Sequence, residues 1–351
     1  MKIGCFHVSA CKFVFYYTTM MVFACFSCKN DPDMDMVIPE KDDADSLVIE
    51  ELSAEIRENP RNDALFAQRA KQYFTMGKTG DAINDLEIAL KLDSANTQYY
   101  NLLADYYMSL GKSGKAKTAL EKCINIDPEN TGALIKLAQI YFYVEYFREA
   151  LEYLRKAQMV DENIPQIYFI KALAYKEMED TVNALKNLMI AVEKDPEYYS
   201  AYVILGSLHT ERGDSIAADF YNNALRLEPL SYEANYMLAF HYQERGKLQK
   251  AMDHYWKIIN KIDSTAKKPW YNLGYIHLEH LKEYGKAIEY FSKAVELDST
   301  WVEAYHNLGY TYSLMGNEQQ ARKYYNIALD LRPNYELSVE GLNRLDEKYR
   351  R

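Results

Sequence analysis

The chain repeats one short phrase at a fixed distance. Residues 271–275 read YNLGY, and residues 306–310 read HNLGY, 35 positions later. An alanine follows the glycine of the first phrase by 13 positions, at Ala287, and the glycine of the second by 12 positions, at Ala321. A period of 20–50 residues indicates an architecture in which one structural unit is stacked on itself.

The same frame extends over most of the 351-residue chain. Each copy has alanine or glycine at its eighth position, tyrosine or histidine three positions later, and further small residues in its second half. We predict eight copies, which are residues 63–96, 97–130, 131–164, 165–198, 199–231, 232–266, 267–301 and 302–335.

Each copy contains two amphipathic runs of helical period, split by glycine or a polar turn. Small residues such as Ala287 and Ala294 lie seven apart and therefore share one helix face. That face lets a neighbouring helix approach to about 8–10 Å. No single copy can bury its own apolar face, so the copies must stack. The sequence therefore predicts an all-α fold in which no single copy has a hydrophobic core of its own.

The seventh copy resembles the tetratricopeptide repeat, whose pattern is W-x2-L-G-x2-Y followed by A-x3-F and a further alanine. His209 and His277 stand where this pattern has tyrosine, and the final proline is absent from four copies. The resemblance implies a right-handed α-solenoid of about eight helix pairs, with the first helix of each pair on the concave side. The matching residues are Trp270, Leu273, Gly274, Ala287, Phe291 and Ala294.

Tetratricopeptide proteins commonly bind extended peptides through the second, fifth, sixth, ninth, twelfth and thirteenth positions of the repeat. The resemblance implies a groove concentrated in residues 232–315, where aromatic anchors occupy these positions. Asn272 and Asn307 are expected to hydrogen-bond a peptide main chain, each bond contributing about 0.5–1.5 kcal/mol. The alternative is that the tyrosines serve packing between helices. The predicted groove residues are Phe142, Phe169, Tyr236, Phe240, Tyr271, Asn272, Tyr275, His306, Asn307 and Tyr310.

Three further segments flank the copies. Residues 46–62 are predicted to form an N-terminal capping helix with Ser46 as its N-cap. Residues 336–351 are predicted to form a charged C-terminal capping helix that covers the last apolar face. Residues 28–45 are rich in acidic side chains and contain two prolines, so they are predicted to form an extended, flexible tether.

Residues 1–27 have the features of a signal peptide. The apolar run at residues 13–24 would reach about 18 Å as a helix, short of the roughly 30 Å hydrocarbon core of a bilayer. Ser27 before Cys28 resembles the lipobox of bacterial lipoproteins, which implies a palmitate-bearing cysteine anchored in the cell envelope, expected at the outer membrane. Cys25 is the alternative site of lipidation, and ordinary cleavage to a secreted protein is the alternative to lipidation.

Residues typical of catalysis show no recognisable pattern. The chain has no Gly-rich phosphate loop, no nucleophile motif and no metal-finger cysteine spacing, so we expect no enzymatic activity, no cofactor and no metal. His277 and His280 could share a metal from one helix, but His277 takes a packing position and is expected to point inward. A net charge of −10, without any Lys/Arg-rich run, argues against a nucleic-acid partner.

Together these features predict a membrane-anchored, non-enzymatic scaffold that holds an extended segment of a partner protein within a cell-envelope assembly. The alternative is an envelope lipoprotein that binds a glycan or another solute, since tyrosine-rich surfaces can stack on sugar rings. Nearly every residue from 46 to 351 belongs to a repeat or a cap, which leaves little room for a separate ligand-binding domain.

Overall fold

The computed structural model describes residues 41–349, which form α-helices and two short π-helical segments and contain no strand. The predicted signal peptide, both candidate lipidation cysteines and most of the predicted tether lie outside these residues. The helices are α1 (Lys41–Glu58), α2 (Asp63–Thr75), α3 (Thr79–Leu92), α4 (Thr97–Ser109), α5 (Ser113–Ile126), α6 (Thr131–Tyr143), α7 (Phe147–Val160), α8 (Pro165–Glu177), α9 (Thr181–Lys194), α10 (Tyr199–Glu211), α11 (Ala217–Leu227), α12 (Tyr232–Glu244), α13 (Leu248–Lys257), α14 (Lys267–Tyr275), α15 (Tyr284–Leu297), α16 (Val302–Leu314), α17 (Glu318–Leu331) and α18 (Glu336–Tyr349).

The helices pack in chain order. Each even-numbered helix from α2 to α16 pairs with the helix that follows it, and the second helix of each pair contacts the first helix of the next. First helices also contact one another across pairs, as α6 does with α8 and α10 with α12. The predicted all-α solenoid is therefore confirmed, and its core is a series of layers between helices.

Glycine at the eighth position lets the two helices of a pair approach closely. A Cβ atom on Gly274 would lie 2.7 Å from Cδ1 of Phe291, and one on Gly309 would lie 2.7 Å from Cδ1 of Tyr325. The other side of the Tyr325 ring is covered by Gly341 of α18, where a Cβ would lie 2.5 Å away. The last helix, α18, thus packs against the eighth pair through the buried ring of Tyr325.

The sixth and seventh copies, predicted to have 35 residues each, contain the two π-helical segments, Ile258–Ile262 and Ile276–His280. A π turn absorbs one extra residue inside a helix without breaking it. The segment Ile276–His280 lies between Gly274 and Ala287, where the sequence has 13 residues of spacing instead of 12. The helix pair therefore keeps its packing positions despite the insertion.

The first helix differs from the prediction. It runs over Lys41–Glu58, so Ser46 lies inside the helix and the expected N-cap at Ser46 is wrong. The physical reason is a contact with α2, because Oδ1 of Asp45 accepts a hydrogen bond of 2.8 Å from Nε2 of Gln72. This contact fixes residues before Ser46 against the first pair. Across residues 41–349, no helix combines the length and the apolar character that a bilayer crossing needs.

Candidate partner-binding groove

The first helices of neighbouring copies lie side by side, and hydrogen bonds join α12 to α14 and α14 to α16. Residues at the fifth and ninth positions of a copy lie one helical turn apart and therefore share one face of the first helix. In the sixth to eighth copies this face carries aromatic residues that are half-buried. We call the surface of α12, α14 and α16 that carries these rings the C-terminal groove. The half-buried aromatic residues are Tyr236, Phe240, Tyr271, Tyr275 and Tyr310.

The predicted groove residues differ in exposure. Phe169, Asn272 and His306 are buried, with exposed fractions of 7%, 9% and 8%. The other seven predicted residues are half-buried, and none of the ten is fully exposed. Phe142 lies on α6 and Phe169 on α8, so these two belong to earlier copies than the C-terminal groove. The Phe169 ring packs against Tyr198 with centroids 4.8 Å apart.

The side-chain amide of Asn272 is used inside the protein. Its Nδ2 atom donates hydrogen bonds to the hydroxyl of Tyr236 at 3.1 Å and to the hydroxyl of Tyr255 at 2.9 Å. Both amide hydrogens are therefore engaged. The Tyr255 hydroxyl in turn donates to Oε1 of Gln243 at 3.1 Å, and burial raises the pKa of Tyr255 well above its ordinary value. This arrangement leaves Nδ2 of Asn272 without a hydrogen for the predicted donation to a peptide main chain.

The same contact recurs one copy later. Nδ2 of Asn307 donates to the hydroxyl of Tyr271 at 3.0 Å, and both asparagine–tyrosine pairs span 36 residues. The Tyr271 ring also stacks on Trp301, with centroids 4.7 Å apart. Burial raises the pKa of Tyr271, so its hydroxyl stays protonated and keeps its hydrogen bond. The two pairs fix the orientation of the Tyr236 and Tyr271 rings in the C-terminal groove.

His306 joins the eighth pair to the last helix. Its Nδ1 atom lies 3.1 Å from Oγ of Ser338, and its ring packs against Tyr325 and Tyr335 with centroids 5.5 and 5.6 Å apart. Burial, together with the nearby positive charge of Arg344, lowers the pKa of His306 to about 4. This histidine is therefore neutral, and it packs between α16 and α18.

The two histidines that replace the repeat tyrosine share one arrangement. Nδ1 of His209 lies 2.9 Å from Oδ2 of Asp214, and Nδ1 of His277 lies 2.8 Å from Oε2 of Glu283. In each case the carboxylate belongs to the turn between the two helices of the pair. The buried side chain of His277 agrees with the expected inward orientation. Within residues 41–349, no three His, Cys, Asp or Glu side chains are placed to share a metal ion.

Sequence reasoning missed the acidic residues at the borders of the C-terminal groove. Glu233 and Glu244 occupy the second and thirteenth positions of the sixth copy, on the same face of α12 as the aromatic rings. Both side chains are exposed. The signal was present in the sequence, because the thirteenth position is glutamate in four successive copies. These residues are Glu177, Glu211, Glu244 and Glu279.

Models of the tetratricopeptide repeat match three segments of the chain, residues 97–130, 131–164 and 268–334. Together these segments cover α4 to α7 and α14 to α17. They include the third copy, the α14 and α16 part of the C-terminal groove, and the helix pair that contains the second π-helical segment.

Two relatives and one solved structure show the extent of the similarity. Anaphase-promoting complex subunit 6 of Arabidopsis thaliana is 25% identical over 210 residues, which are 58% of this chain and 38% of that protein. Antiviral innate immune response effector IFIT1 of Homo sapiens is 30% identical over 166 residues, 45% of this chain and 32% of that protein. The matched part of the chain thus spans about a third of the length of each relative.

The crystal structure of a tetratricopeptide repeat protein from Parabacteroides merdae superimposes with a TM-score of 0.50 at 17% identity. The match covers 70% of this chain and 97% of that one. At this level of identity the likeness shows the fold alone.

Proposed function

We propose that the chain, which matches tetratricopeptide-repeat models over three segments, is a non-enzymatic protein-interaction scaffold that holds an extended segment of a partner protein in the C-terminal groove. The observation that carries the proposal is the set of half-buried aromatic rings at matching positions of three successive first helices. Aromatic side chains of this kind are the usual anchors of recognition surfaces.

The fixed orientation of two of these rings supports the proposal. Tyr236 and Tyr271 are each held by an asparagine of the following copy, at 3.1 and 3.0 Å. A side chain that is already fixed loses little rotamer freedom when a partner binds, and ordering a free side chain at an interface costs about 0.5–1.5 kcal/mol. The hydrogen bonds between copies therefore favour binding even though they make no contact with the partner.

A capture experiment with paired variants tests the groove. The full chain carries Phe240→Ala and Tyr275→Ala in one variant, and Met159→Ala and Val182→Ala in the control. The control residues are 77% and 75% exposed and lie on the second helices α7 and α9. After chemical crosslinking in native membranes, we expect the groove variant to lose the proteins that the unaltered chain recovers and the control to keep them. Equal recovery by the groove variant and the unaltered chain, with matching circular dichroism spectra, would refute the groove as the binding surface.

The location of the scaffold is a separate proposal. The apolar run at residues 13–24, followed by Ser27 and Cys28, supports a lipid anchor in the bacterial cell envelope, at the outer membrane, where the groove would gather an envelope assembly. A protein that carries more than one acyl chain stays on its membrane.

Labelling with radioactive palmitate tests the anchor. We expect the label in the unaltered chain and in Cys25→Ser, and its loss in Cys28→Ser together with release of the protein from the membrane fraction. Loss of label in Cys25→Ser alone would move the anchor to the alternative cysteine. Absence of label from the unaltered chain would remove the anchor proposal and leave the groove proposal unchanged.

A further inference from the structure

One face of α12 combines two carboxylates with two aromatic rings. Glu233, Tyr236, Phe240 and Glu244 follow one another at intervals of three, four and four residues, so they form one stripe along the helix. The glutamates are exposed and the two rings between them are half-buried. Neither glutamate has a Lys, Arg or His partner within 4.0 Å among the residues that the structure describes. The stripe thus offers negative charge at both ends and apolar surface between them.

Three of the first helices near this stripe carry acidic side chains. The helices α10, α12 and α16 contain four glutamates and neither lysine nor arginine, whereas α14, which lies between α12 and α16, contains Lys267 and Lys268. Glu211 of α10 occupies the same position as Glu244 one copy earlier. Glu303 of α16 is paired with Arg332 at 3.0 Å, which leaves Glu211, Glu233 and Glu244 as the carboxylates without a cationic partner on these three helices.

One cation of the protein already lies against the stripe. Nζ of Lys268, from α14, lies 5.9 Å from the centroid of the Tyr236 ring, within the range in which a ring attracts a cation. Lys268 forms no ion pair with Glu233 in the described part of the chain. The Tyr236 ring therefore has a face suited to positive charge, and the carboxylate beside it is left uncompensated.

The surroundings of Glu233 make this lack of compensation costly. The residue is exposed, but desolvation by the surrounding protein raises the pKa of its carboxyl group. The neighbouring carboxylate of Glu228 raises this pKa as well. A cationic group placed beside Glu233 would relieve both effects.

We infer that the stripe of Glu233, Tyr236, Phe240 and Glu244 binds a basic extended segment, in which two Lys or Arg side chains flank an apolar or aromatic one. This inference rests on the proposed function and names the chemistry of the partner segment. Eleven residues of helix separate the two glutamates by about 16 Å. An extended chain rises about 3.3 Å per residue, so the two basic residues are about five positions apart. The net charge of −10 attracts such a segment from a distance and repels an acidic one.

Fluorescence anisotropy with a defined peptide tests the inference. The probe is fluorescein-labelled Ala-Arg-Ser-Phe-Ser-Leu-Arg-Ala, and its counterpart has glutamate in place of both arginines. The full chain is compared with Glu233→Gln/Glu244→Gln and with Glu193→Gln/Glu289→Gln, whose residues are exposed on the second helices α9 and α15. Both variants lose the same charge, so only the position of the lost charge differs.

We expect the arginine peptide to bind the unaltered chain and the control variant with equal affinity. The Glu233/Glu244 variant is expected to bind it about 10-fold more weakly, the loss from two exposed ion pairs. The glutamate peptide is expected to bind none of the three proteins, and binding of the arginine peptide is expected to weaken as salt is raised from 50 to about 500 mM.

Absence of arginine-peptide binding, equal binding of the two peptides, or equal losses in both variants would overturn the inference. None of these results would remove the scaffold proposal if Phe240→Ala/Tyr275→Ala still abolished recovery of native partners. If recovery survived that variant as well, the groove itself would be refuted.

Discussion

The side chain of Asn272 donates a hydrogen bond of 3.1 Å to the hydroxyl of Tyr236, which precedes it by 36 residues. Asn307 repeats this contact with Tyr271 at 3.0 Å, again across 36 residues. Each bond joins the first helix of one copy to the first helix of the next. In a stacked protein, stability depends on the contacts between neighbouring units, so these bonds contribute to the cohesion of the C-terminal half and also fix the rings of the groove.

Replacing Asn272 with alanine is predicted to destabilise the protein. The hydroxyls of Tyr236 and Tyr255 would lose their donor in a buried site, which costs about 1–3 kcal/mol of the free energy of unfolding. The control is Asn222→Ala on α11, because Asn222 is exposed. Urea denaturation followed by circular dichroism measures both variants. Equal midpoints for the two variants would show that the contact between copies contributes little.

Replacing Gly274 with alanine is predicted to destabilise the seventh pair by about 1–3 kcal/mol, because the added Cβ would lie 2.7 Å from the Phe291 ring. Gly285→Ala is the matched control, since a Cβ there has no neighbour within 4 Å and the residue lies in the first turn of α15. That substitution is predicted not to destabilise, and its gain is at most the roughly 0.5–1 kcal/mol seen when alanine replaces glycine in a helix interior.

A second substitution separates the ring contact from a general effect of the methyl group. Phe291→Leu should remove part of the cost of Gly274→Ala, so the two changes together should destabilise less than the sum of their separate effects. Additive effects of the two substitutions would contradict close packing between helices as the reason for glycine at the eighth position.

The neutral His306 predicts a pH dependence of stability. Burial lowers its pKa in the folded protein to about 4 from an ordinary value of 6.5. Between these pH values the unfolded chain binds the proton and the folded chain does not, so stability falls as pH falls from about 6.5 to about 4 and is fully present above 6.5. The shift corresponds to about 3 kcal/mol at most.

Urea midpoints between pH 7.5 and 4.5 test this dependence. His306→Phe should lose less stability over this range than the unaltered chain, since the titrating group is gone from the contact with Ser338 and Tyr335. His280→Phe, at an exposed position, should follow the unaltered chain. If the urea midpoints of His306→Phe and of the unaltered chain fell by the same amount over this pH range, His306 would have the same pKa in the folded and the unfolded protein.

The period and the small residues were sufficient to predict the stacked helix pairs. The close approach that requires a small residue occurs between the two helices of a single copy. Gly274 and Phe291 belong to the same pair, and their spacing alone indicates that the two helices approach closely. The spacing of 13 residues between Gly274 and Ala287 likewise showed that one residue had been inserted. It did not show that a π-helical segment at Ile276–His280 absorbs it, since a longer turn would have fitted the same spacing.

The contacts between copies could not be predicted in this way. An asparagine at the sixth position faces both the concave surface and the previous copy, and only the stacking geometry places Asn272 beside Tyr236. The same holds for the start of α1, where Asp45 meets Gln72, 27 residues later. Sequence reasoning therefore placed aromatic rings on the first helices of the C-terminal half but did not predict that Asn272 donates its hydrogen bonds to tyrosines within the protein.

Site-specific photocrosslinking in cells tests the central claim most directly. A benzoylphenylalanine introduced at Phe240, in the C-terminal groove, is predicted to form a discrete adduct with a partner protein whose crosslinked peptide is rich in lysine or arginine. The same group at Met189, exposed on α9, is predicted to form none. An adduct at Met189 and none at Phe240 would contradict binding in the C-terminal groove.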